Sequence, residues 1–386
     1  MSTFTESDER KALRKAVANL GAKYGFEYFI NAYKTGTKTT ELWREAGELG
    51  YLGVALPEEY GGGGGDIGDL AAVCEELAAA GAPLLMIVVS PAIVGTVINL
   101  LGTEDQKQKW LPGIANGSTT IAFSITEPDA GSNSHNIITN AKADADGWVI
   151  NGTKTYISGV DEASHILVVA KAENSKTGKT APGLFLVPTD APGFTKTEIA
   201  MGLQSPEKQF TLFFDNVHIS ADARIGSEDG GLEAVFAGLI PERIMAAAFA
   251  IGSARRALNL ATKYAKEREV WGKPIGAHQA IAHELAKSHI EIEMASLLTQ
   301  KASALLAAGD FMGAGEASNM AKYAAAEAIA NSVDRAIHTH GGNGLAEEYG
   351  VIQMLVGSRL ARIAPVSKEM VLNFVAQFSL GLPKSY

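Results

Sequence analysis

The sequence has a single cysteine, Cys74, among its 386 residues. This excludes an internal disulfide framework and any zinc or iron–sulfur site that needs several cysteines. Basic side chains are also in the minority, since 33 Lys and Arg stand against 43 Asp and Glu, giving a net charge of -10. Nonspecific nucleic-acid binding needs clustered basic residues, so we predict no nucleic-acid partner.

Long apolar runs are missing as well. A membrane helix needs roughly 18 or more consecutive apolar residues, and the longest candidate, Ala82 to Leu101, is interrupted by Pro83, Pro91 and Asn99. The segment Met1 to Arg10 carries three acids and no apolar core, unlike a signal peptide or an Arg-rich transit peptide. We therefore predict no membrane span and a cytoplasmic location.

Two patterns resemble known sites without meeting their requirements. The glycines of Gly63 to Gly68 fit G-x-G-x-x-G, but they lack a preceding strand and an acid about 20 residues later, which favours a flexible surface turn. The spacings of His278, His283 and His289 do not place them on one helix face, and H-E-x-x-H is absent. We predict no metal site.

The hydrophobic pattern changes twice along the chain. It is helical from Asp8 to Gly117, alternating in short runs from Thr119 to Arg224, and helical again from Gly231 onwards. We predict an α+β protein with an N-terminal helical domain at residues 1–118, a central antiparallel β-barrel or sandwich at 119–228, and a C-terminal helical bundle at 229–386.

Local signals refine this layout. Asp69 to Gly81 has apolar residues at helical spacing, with Gly81 as its C-cap. Thr103 is a predicted helix N-cap, followed by two acids in the first turn. Asn151-Gly152 lies between two alternating runs and predicts the turn of a β-hairpin.

Six segments, in order along nearly the whole chain, resemble the acyl-CoA dehydrogenase flavoprotein family. They are LPEEYGGGG (Leu56 to Gly64), GTEDQKQKWLP (Gly102 to Pro112), SITEPDAGSN (Ser124 to Asn133), NGTKTYIS (Asn151 to Ser158), REVWGKPIGAHQ (Arg268 to Gln279) and HGGNGLAEEY (His340 to Tyr349).

This resemblance implies FAD as cofactor and a fatty acyl thioester of coenzyme A as substrate. The family oxidises the Cα–Cβ bond to a trans-2-enoyl-CoA, and the electrons pass to a separate electron-transfer flavoprotein. Such a reaction needs a base for the α-proton, an acceptor for the β-hydride and an apolar site that excludes water.

The resemblance also implies which residues bind FAD. Near the flavin ring it implies Phe123, Ile125, Thr126, Ser132, Tyr156, Ile157 and Ser158. Ser132 would also contact the coenzyme A portion of the substrate. Tyr156 and Ser158 replace the usual tryptophan and threonine.

For the phosphates and adenosine, the resemblance implies Arg268, Trp271, Gln279, His338, Gly341 and Gly342. Trp271 and His338 replace the usual phenylalanine and glutamine. Since one subunit completes the flavin site of another in this family, the resemblance implies a homo-oligomer, with a dimer of dimers expected.

The catalytic base is an informative departure from the family pattern. Most members carry a late glutamate, but Lys368 stands at that place here, and a lysine that is protonated at neutral pH is a poor base. Isovaleryl-type and long-chain-type members use an earlier glutamate, which predicts Glu242 as base, with Arg243 contacting substrate and Glu369 as the alternative base. Pro241 is a favourable first helical residue, so we expect Glu242 in a first turn, where burial raises its pKa more than the helix N-terminus lowers it.

Two other functions stay open at this stage. The chain could be a non-catalytic subunit that binds FAD to complete a partner's site, because the late glutamate is missing. It could also be a related flavin oxidase or reductase on the same scaffold. The length and branching of the acyl chain cannot be derived from these residues.

Overall fold

The computed structural model describes residues 6–229 and 231–384. The predicted domain limits at residues 1 and 386 therefore lie outside the described residues. The first region is helical and contains six α-helices, with a π-helical segment at Val88–Gly95 and a 3₁₀ turn at Glu58–Tyr60. The helices are α1 (Asp8–Thr35), α2 (Thr40–Glu48), α3 (Ile67–Ala80), α4 (Leu85–Ile87), α5 (Thr96–Leu101) and α6 (Glu104–Asn116).

The predicted helix ends in this region are confirmed. Gly81 ends α3 in the left-handed conformation, with φ 97°, which glycine adopts without steric penalty. The Thr103 side chain accepts from the backbone N–H of Gln106 and caps α6. The glycine run before α3 is a turn, as expected, but it is not loose. Backbone N–H groups of Gly63, Gly64 and Gly65 bond to carbonyls at residues 53–56.

The central region is an eight-stranded sheet. Its strands are β1 (Ile121–Ser124), β2 (Asn140–Asp144), β3 (Gly147–Ser158), β4 (His165–Glu173), β5 (Thr180–Pro188), β6 (Phe194–Ile199), β7 (Gln209–Ser220) and β8 (Arg224–Ile225). The order is β6-β7-β3-β2-β4-β5-β8, with β1 paired to β4. Most pairs are antiparallel as predicted, but β4 runs parallel to β1 and to β2.

The predicted hairpin turn at Asn151-Gly152 is wrong. Both residues lie inside β3, where the register against β7 shifts, because one residue separates Ile150 from Gly152 while two separate their partners Val217 and Phe214 on β7. Gly152 is needed there because a Cβ would come within 2.4 Å of the Thr139 hydroxyl. The hairpin between β2 and β3 turns instead at Asp144 to Gly147, so Asn151-Gly152 lies opposite a bulge of β7 and is not a turn.

The C-terminal region is a bundle of long helices. It contains α7 (Gly231–Glu267), α8 (Gln279–Ala307), α9 (Phe311–His340), α10 (Met354–Leu360) and α11 (Lys368–Phe374), with a small hairpin of β9 (Glu269–Val270) and β10 (Lys273–Pro274) between α7 and α8. Alanines fill much of the contact between α7 and α9. Within the part of the chain that the structure describes, the expected helical, β and helical order is confirmed.

Helix α7 ties the regions together. Its Arg255 bonds to Glu75 at 2.6 Å and to Glu76 at 2.7 Å on α3, and Arg14 of α1 bonds to the same two carboxylates. By length and composition the segment Ala237–Glu267 could cross a membrane, but 72% of its apolar window is buried inside the protein. Its apolar character is thus accounted for by its position at the centre of the fold.

Candidate active site

A large cavity of about 1690 Å³ lies between the sheet, α7 and the C-terminal helices. It is larger than the roughly 300–1,000 Å³ of most small-molecule sites, so it has room for more than one ligand. Nine of the predicted site residues line it, and we call them the inner cluster. They are Phe123, Ile125, Thr126, Ser132, Tyr156, Ile157, Ser158, Glu242 and Arg243.

The turn that carries Thr126 is held by a buried ion pair. Lys154 of β3 is fully buried, and its ammonium donates to the carbonyl of Ile125 at 2.8 Å and to the Glu127 carboxylate at 2.9 Å. Glu127 also accepts from the backbone N–H groups of Ile138 and Thr139. The two sequence motifs are therefore joined, because the lysine of one fixes the backbone of the other.

The charge state of this pair follows from its surroundings. Burial lowers the pKa of Lys154 to about 8, although Glu127 opposes the shift. Burial alone would raise the pKa of Glu127, but the hydrogen bonds from residues 138 and 139 and the Lys154 ammonium outweigh it and hold that pKa below its usual range. Both groups are charged at neutral pH, so Glu127 fixes this turn and is not a second base.

The backbone of β3 turns Tyr156 towards the cavity. Tyr156 has φ 58° and is one of three non-glycine residues with positive φ among the described residues. It lies in the register shift between Lys154 and Ile157, and bulges of this kind re-aim side chains near functional sites. Its side chain remains 58% exposed. Nearby, the Ser158 hydroxyl is hydrogen bonded to the Gln209 amide.

Glu242 is the carboxylate that lines this cavity among the described residues. Burial raises its pKa to about 7, and the positive charges of Arg243 and Lys322 act against that rise. The predicted first-turn position is wrong, because α7 begins at Gly231 and runs through Pro241. Val235, before this proline, is buried, so packing extends the helix and its N-terminus does not act on Glu242.

The positively charged side chains around Glu242 are desolvated as well. Arg243 is buried, with a lowered pKa, and its Nε has no hydrogen-bond partner within residues 6–229 and 231–384 as described. Lys322 of α9 donates to the carbonyl of Val366, and burial lowers its pKa to about 8. Lys322 thus connects the neighbourhood of Glu242 to the loop before α11.

The late segment presents no carboxylate to the cavity within the described residues. Ser367 and Met370 line the wall there, whereas Lys368 and Glu369 do not, and Glu369 is exposed. The two candidate carboxylates therefore differ in their surroundings, because Glu242 faces the cavity and Glu369 faces solvent.

The other six predicted residues do not line the cavity and form a second set, the outer cluster. They are Arg268, Trp271, Gln279, His338, Gly341 and Gly342, and all are exposed. Tyr264 joins the two helix ends that carry them, because its ring stacks on His340 at 4.3 Å and its hydroxyl accepts from Asn343 at 3.0 Å.

Three residues that matter here were not assigned a role from sequence. Lys154 stands in a quoted motif, but nothing in the motif says that its side chain is buried. Gln209 follows a strand pattern, and Lys322 interrupts an alanine-rich helix. A lysine on the buried face of such a helix is the one signal that could have drawn attention to Lys322.

The chain matches the N-terminal, middle and C-terminal domain families of acyl-CoA dehydrogenase over residues 7–118, 122–217 and 229–380. The chain belongs to the acyl-CoA dehydrogenase family. The predicted class of oxidoreductase acting on CH–CH bonds, with FAD as the cofactor of the family, is thereby confirmed.

Individual relatives agree with this assignment. The chain is 60% identical over 385 residues to acyl-CoA dehydrogenase FadE12 of Mycobacterium tuberculosis, covering 100% of this chain and 99% of that protein. Butyryl-CoA dehydrogenase of Megasphaera elsdenii is 28% identical with a TM-score of 0.91, covering 98% and 99% of the two chains. A Mycobacterium smegmatis glutaryl-CoA dehydrogenase in complex with FADH2 is 26% identical with a TM-score of 0.90, covering 99% and 96%.

The residues present are compatible with FAD. The inner cluster offers an aromatic face, hydroxyls and backbone groups beside a large apolar cavity. In the outer cluster, a Cβ added at Gly341 or Gly342 would meet nothing within 4 Å. The backbone there is open to a group that approaches from outside the chain.

Proposed function

We propose that this protein is an FAD-dependent dehydrogenase that converts a fatty acyl-CoA thioester to its trans-2-enoyl-CoA, with Glu242 as the catalytic base. The observation that carries the proposal is a carboxylate in a large, mostly apolar cavity with a pKa raised to about 7. A base with a pKa near the working pH combines availability with proton affinity.

In this proposal Glu242 accepts the α-proton of the thioester. Its carboxylate must be ionised first, and the neighbouring positive charges of Arg243 and Lys322 favour that state. FAD, when bound, supplies the acceptor for the β-hydrogen and its electron pair. The apolar wall excludes water from the reacting carbons, and Arg243 contacts the substrate through its free Nε.

The inner cluster would bind the flavin ring. Thr126 is presented on a turn that Lys154 and Glu127 hold in place. Tyr156 supplies an aromatic face from its bulge, and Gln209 orients the Ser158 hydroxyl. Ser132 is exposed beside the cavity and would contact FAD and the coenzyme A portion of the substrate.

The outer cluster would bind the phosphates and adenosine of FAD held by another copy of the chain. Its residues are exposed and lie outside the cavity, so they are free to act across a subunit contact. Helix α8 also carries Ile290, Met294 and Leu297 exposed on one face, at 57%, 53% and 47%. These features support a homo-oligomer, for which a dimer of dimers is the proposed form.

We further propose that electrons pass to a separate electron-transfer flavoprotein, as the family resemblance implies. The cytoplasmic location stays a prediction. The hypothesis of a non-catalytic subunit rested on the missing late glutamate. Glu242 provides a carboxylate in the cavity, which argues against that hypothesis.

The test compares Glu242→Gln with Glu369→Gln. We expect the first variant to keep FAD but to lose turnover by about 10²–10⁴-fold, the range of general base catalysis. The second should change turnover by less than about twofold, because Glu369 is exposed. Anaerobic loss of flavin absorbance on adding acyl-CoA measures the turnover of both variants. The kcat/KM of the unmodified enzyme should rise with pH through about 7, as Glu242 ionises. Equal activity of Glu242→Gln and the unmodified enzyme would reject the proposal.

A further inference from the structure

The cavity extends well beyond the proposed base. On α7 it is lined by Ala246, Phe249, Ala250, Ser253 and Arg256 in addition to Glu242. These positions recur at intervals of three and four and lie on one face of the helix. Arg256 follows Glu242 by 14 residues, so the two lie about 21 Å apart along the helix axis.

The wall opposite this face is apolar over much of its length. It includes Phe29, Pro83, Leu85 and Val88 from the N-terminal helical region. Such a channel suits an extended acyl chain, whose methylenes gain by leaving water. A polar group that faces this channel therefore needs an explanation.

Arg256 is that polar group. Its guanidinium lies 4.5 Å from the Phe26 ring centroid and makes a long contact of 3.4 Å to the carbonyl of Ala80. Its Nε is buried and has no hydrogen-bond partner in the part of the chain that the structure describes. Burial lowers its pKa to about 10, and the exposed Glu27 acts against this only from a distance.

Arg255, the neighbouring arginine, differs from Arg256 because it is paired with carboxylates. Arg255 bonds to both Glu75 and Glu76 within 2.7 Å. Arg256 has no carboxylate within 4.0 Å among the residues that the structure describes. An arginine remains protonated in proteins, so the wall carries a positive charge that the described part of the chain does not neutralise by contact.

A second unpaired atom lies in the lining of the same cavity. Gln353 is buried and its Oε1 has no partner among the described residues, while its Nε2 donates to the carbonyl of Glu347 at 2.8 Å. A Cβ added at Gly350, three residues earlier, would lie 3.5 Å from the Arg256 guanidinium. A neutral hydroxyl could accept a hydrogen bond from the guanidinium, but it would leave the positive charge unbalanced.

We propose that Arg256 binds a carboxylate at the far end of the acyl chain, so that the preferred substrates are long-chain dicarboxylic acids activated at one end as coenzyme A thioesters. This inference rests on the proposed function, because it extends the same cavity from the thioester to the tail. A carboxylate matches the planar fork of the guanidinium and neutralises it.

The experiment uses the FAD-bound protein and two series of acyl-CoA thioesters with matched chain lengths, one methyl-terminated and one ω-carboxylated. A third series with ω-hydroxyl groups tests hydrogen bonding without charge. We expect one range of lengths at which the ω-carboxylate raises kcat/KM by about tenfold to a hundredfold over the methyl-terminated chain, as for a charged hydrogen bond.

Arg256→Met should remove that preference and leave kcat/KM for methyl-terminated chains nearly unchanged, while Arg256→Lys should retain part of it. Arg255→Met is the matched control, since Arg255 faces Glu75 and Glu76 and does not line the cavity. It should lower stability without changing the ratio of the two kcat/KM values.

Dissociation constants measured by calorimetry on the Glu242→Gln variant separate this inference from the proposed function. If no thioester reduces the flavin but the ω-carboxylated series still binds more tightly, the proposed reaction fails and the subsite stands. The inference is overturned if methyl-terminated or ω-hydroxyl chains bind best at every length, or if Arg256→Met weakens all series alike.

Discussion

All of the outer cluster and most of the inner cluster were assigned to one cofactor, yet the surroundings of the two clusters differ. Inner residues lie in or beside a cavity where burial changes the pKa of Glu242 and Arg243. Outer residues are exposed, and Trp271 is exposed by 87%. The inner cluster is therefore formed within one chain, whereas the outer cluster is exposed and available for a contact between subunits.

The buried pair below the inner cluster gives the largest expected effect on stability. Lys154→Met would leave the Glu127 carboxylate buried without its ammonium partner, and breaking such a pair costs about 3–5 kcal/mol. Urea unfolding should show the loss, and FAD content should fall because the turn with Thr126 loses its anchor.

Exposed Lys142 on the neighbouring strand β2 is the control. Lys142→Met should change the free energy of unfolding by less than about 0.5 kcal/mol. Adding Glu127→Gln to Lys154→Met should recover part of the stability, because the orphaned charge is gone. If Lys154→Met were as stable as Lys142→Met, the inner cluster would not depend on this pair.

Ionisation of Glu242 should lower the stability of the folded chain as the pH rises to neutral. Its pKa is raised from 4.5 to about 7 in the folded chain, so the folded state holds the proton more tightly than the unfolded state. Stability from this group is therefore lost as pH rises from about 4.5 to about 7, by about 3 kcal/mol at most. Glu242→Gln, which cannot ionise, should escape this loss.

The measurement is urea unfolding of both proteins at about pH 5 and about pH 8. The variant should gain stability over the unmodified protein at the higher pH, and much less at the lower pH. A constant difference across this range would mean that the carboxyl group is not desolvated, in contradiction to its cavity position.

Arg268→Gln tests whether the outer cluster binds FAD without contributing to the stability of the chain. Because Arg268 is exposed, its loss should leave unfolding of the chain nearly unchanged. If it binds the FAD phosphate, the dissociation constant of FAD should rise by about tenfold or more, as expected for a charged hydrogen bond. Lys266→Gln, also exposed at the end of α7, is the control and should leave FAD binding unchanged.

Sequence reasoning agrees with the structure where the positions belong to one motif. Thr126 and Tyr156, each from a quoted motif, both line the cavity, because short spacings fix which residues of a turn or strand share a face. It was wrong where contacts with residues distant in the sequence determine the local structure. Pro241 reads as a helix start, yet burial of Val235 extends α7 past it, and Asn151-Gly152 reads as a turn, yet β7 pairs along both sides of it.

The same reason explains the residues that the sequence did not reveal. Lys322 acts from a different helix than Glu242, and Gln209 from a different strand than Ser158. Nothing in the spacing of either pair along the chain indicates that they meet. The two arginines at 255 and 256 are indistinguishable in sequence, and only the neighbours that the fold supplies separate a paired from an unpaired charge.

The smallest expected effect concerns the backbone of Tyr156. A left-handed conformation costs a non-glycine residue about 1–2 kcal/mol, and glycine removes this strain but loses about 0.5–1 kcal/mol through its flexible unfolded state. Tyr156→Gly should therefore change the free energy of unfolding by no more than about 1 kcal/mol. Asn216→Gly, at φ 50° on β7, is matched in conformation but does not line the cavity. Urea unfolding should give similar small changes for both, while only Tyr156→Gly should weaken FAD binding. If both bound FAD equally well, Tyr156 would be a strand residue without a role in the inner cluster.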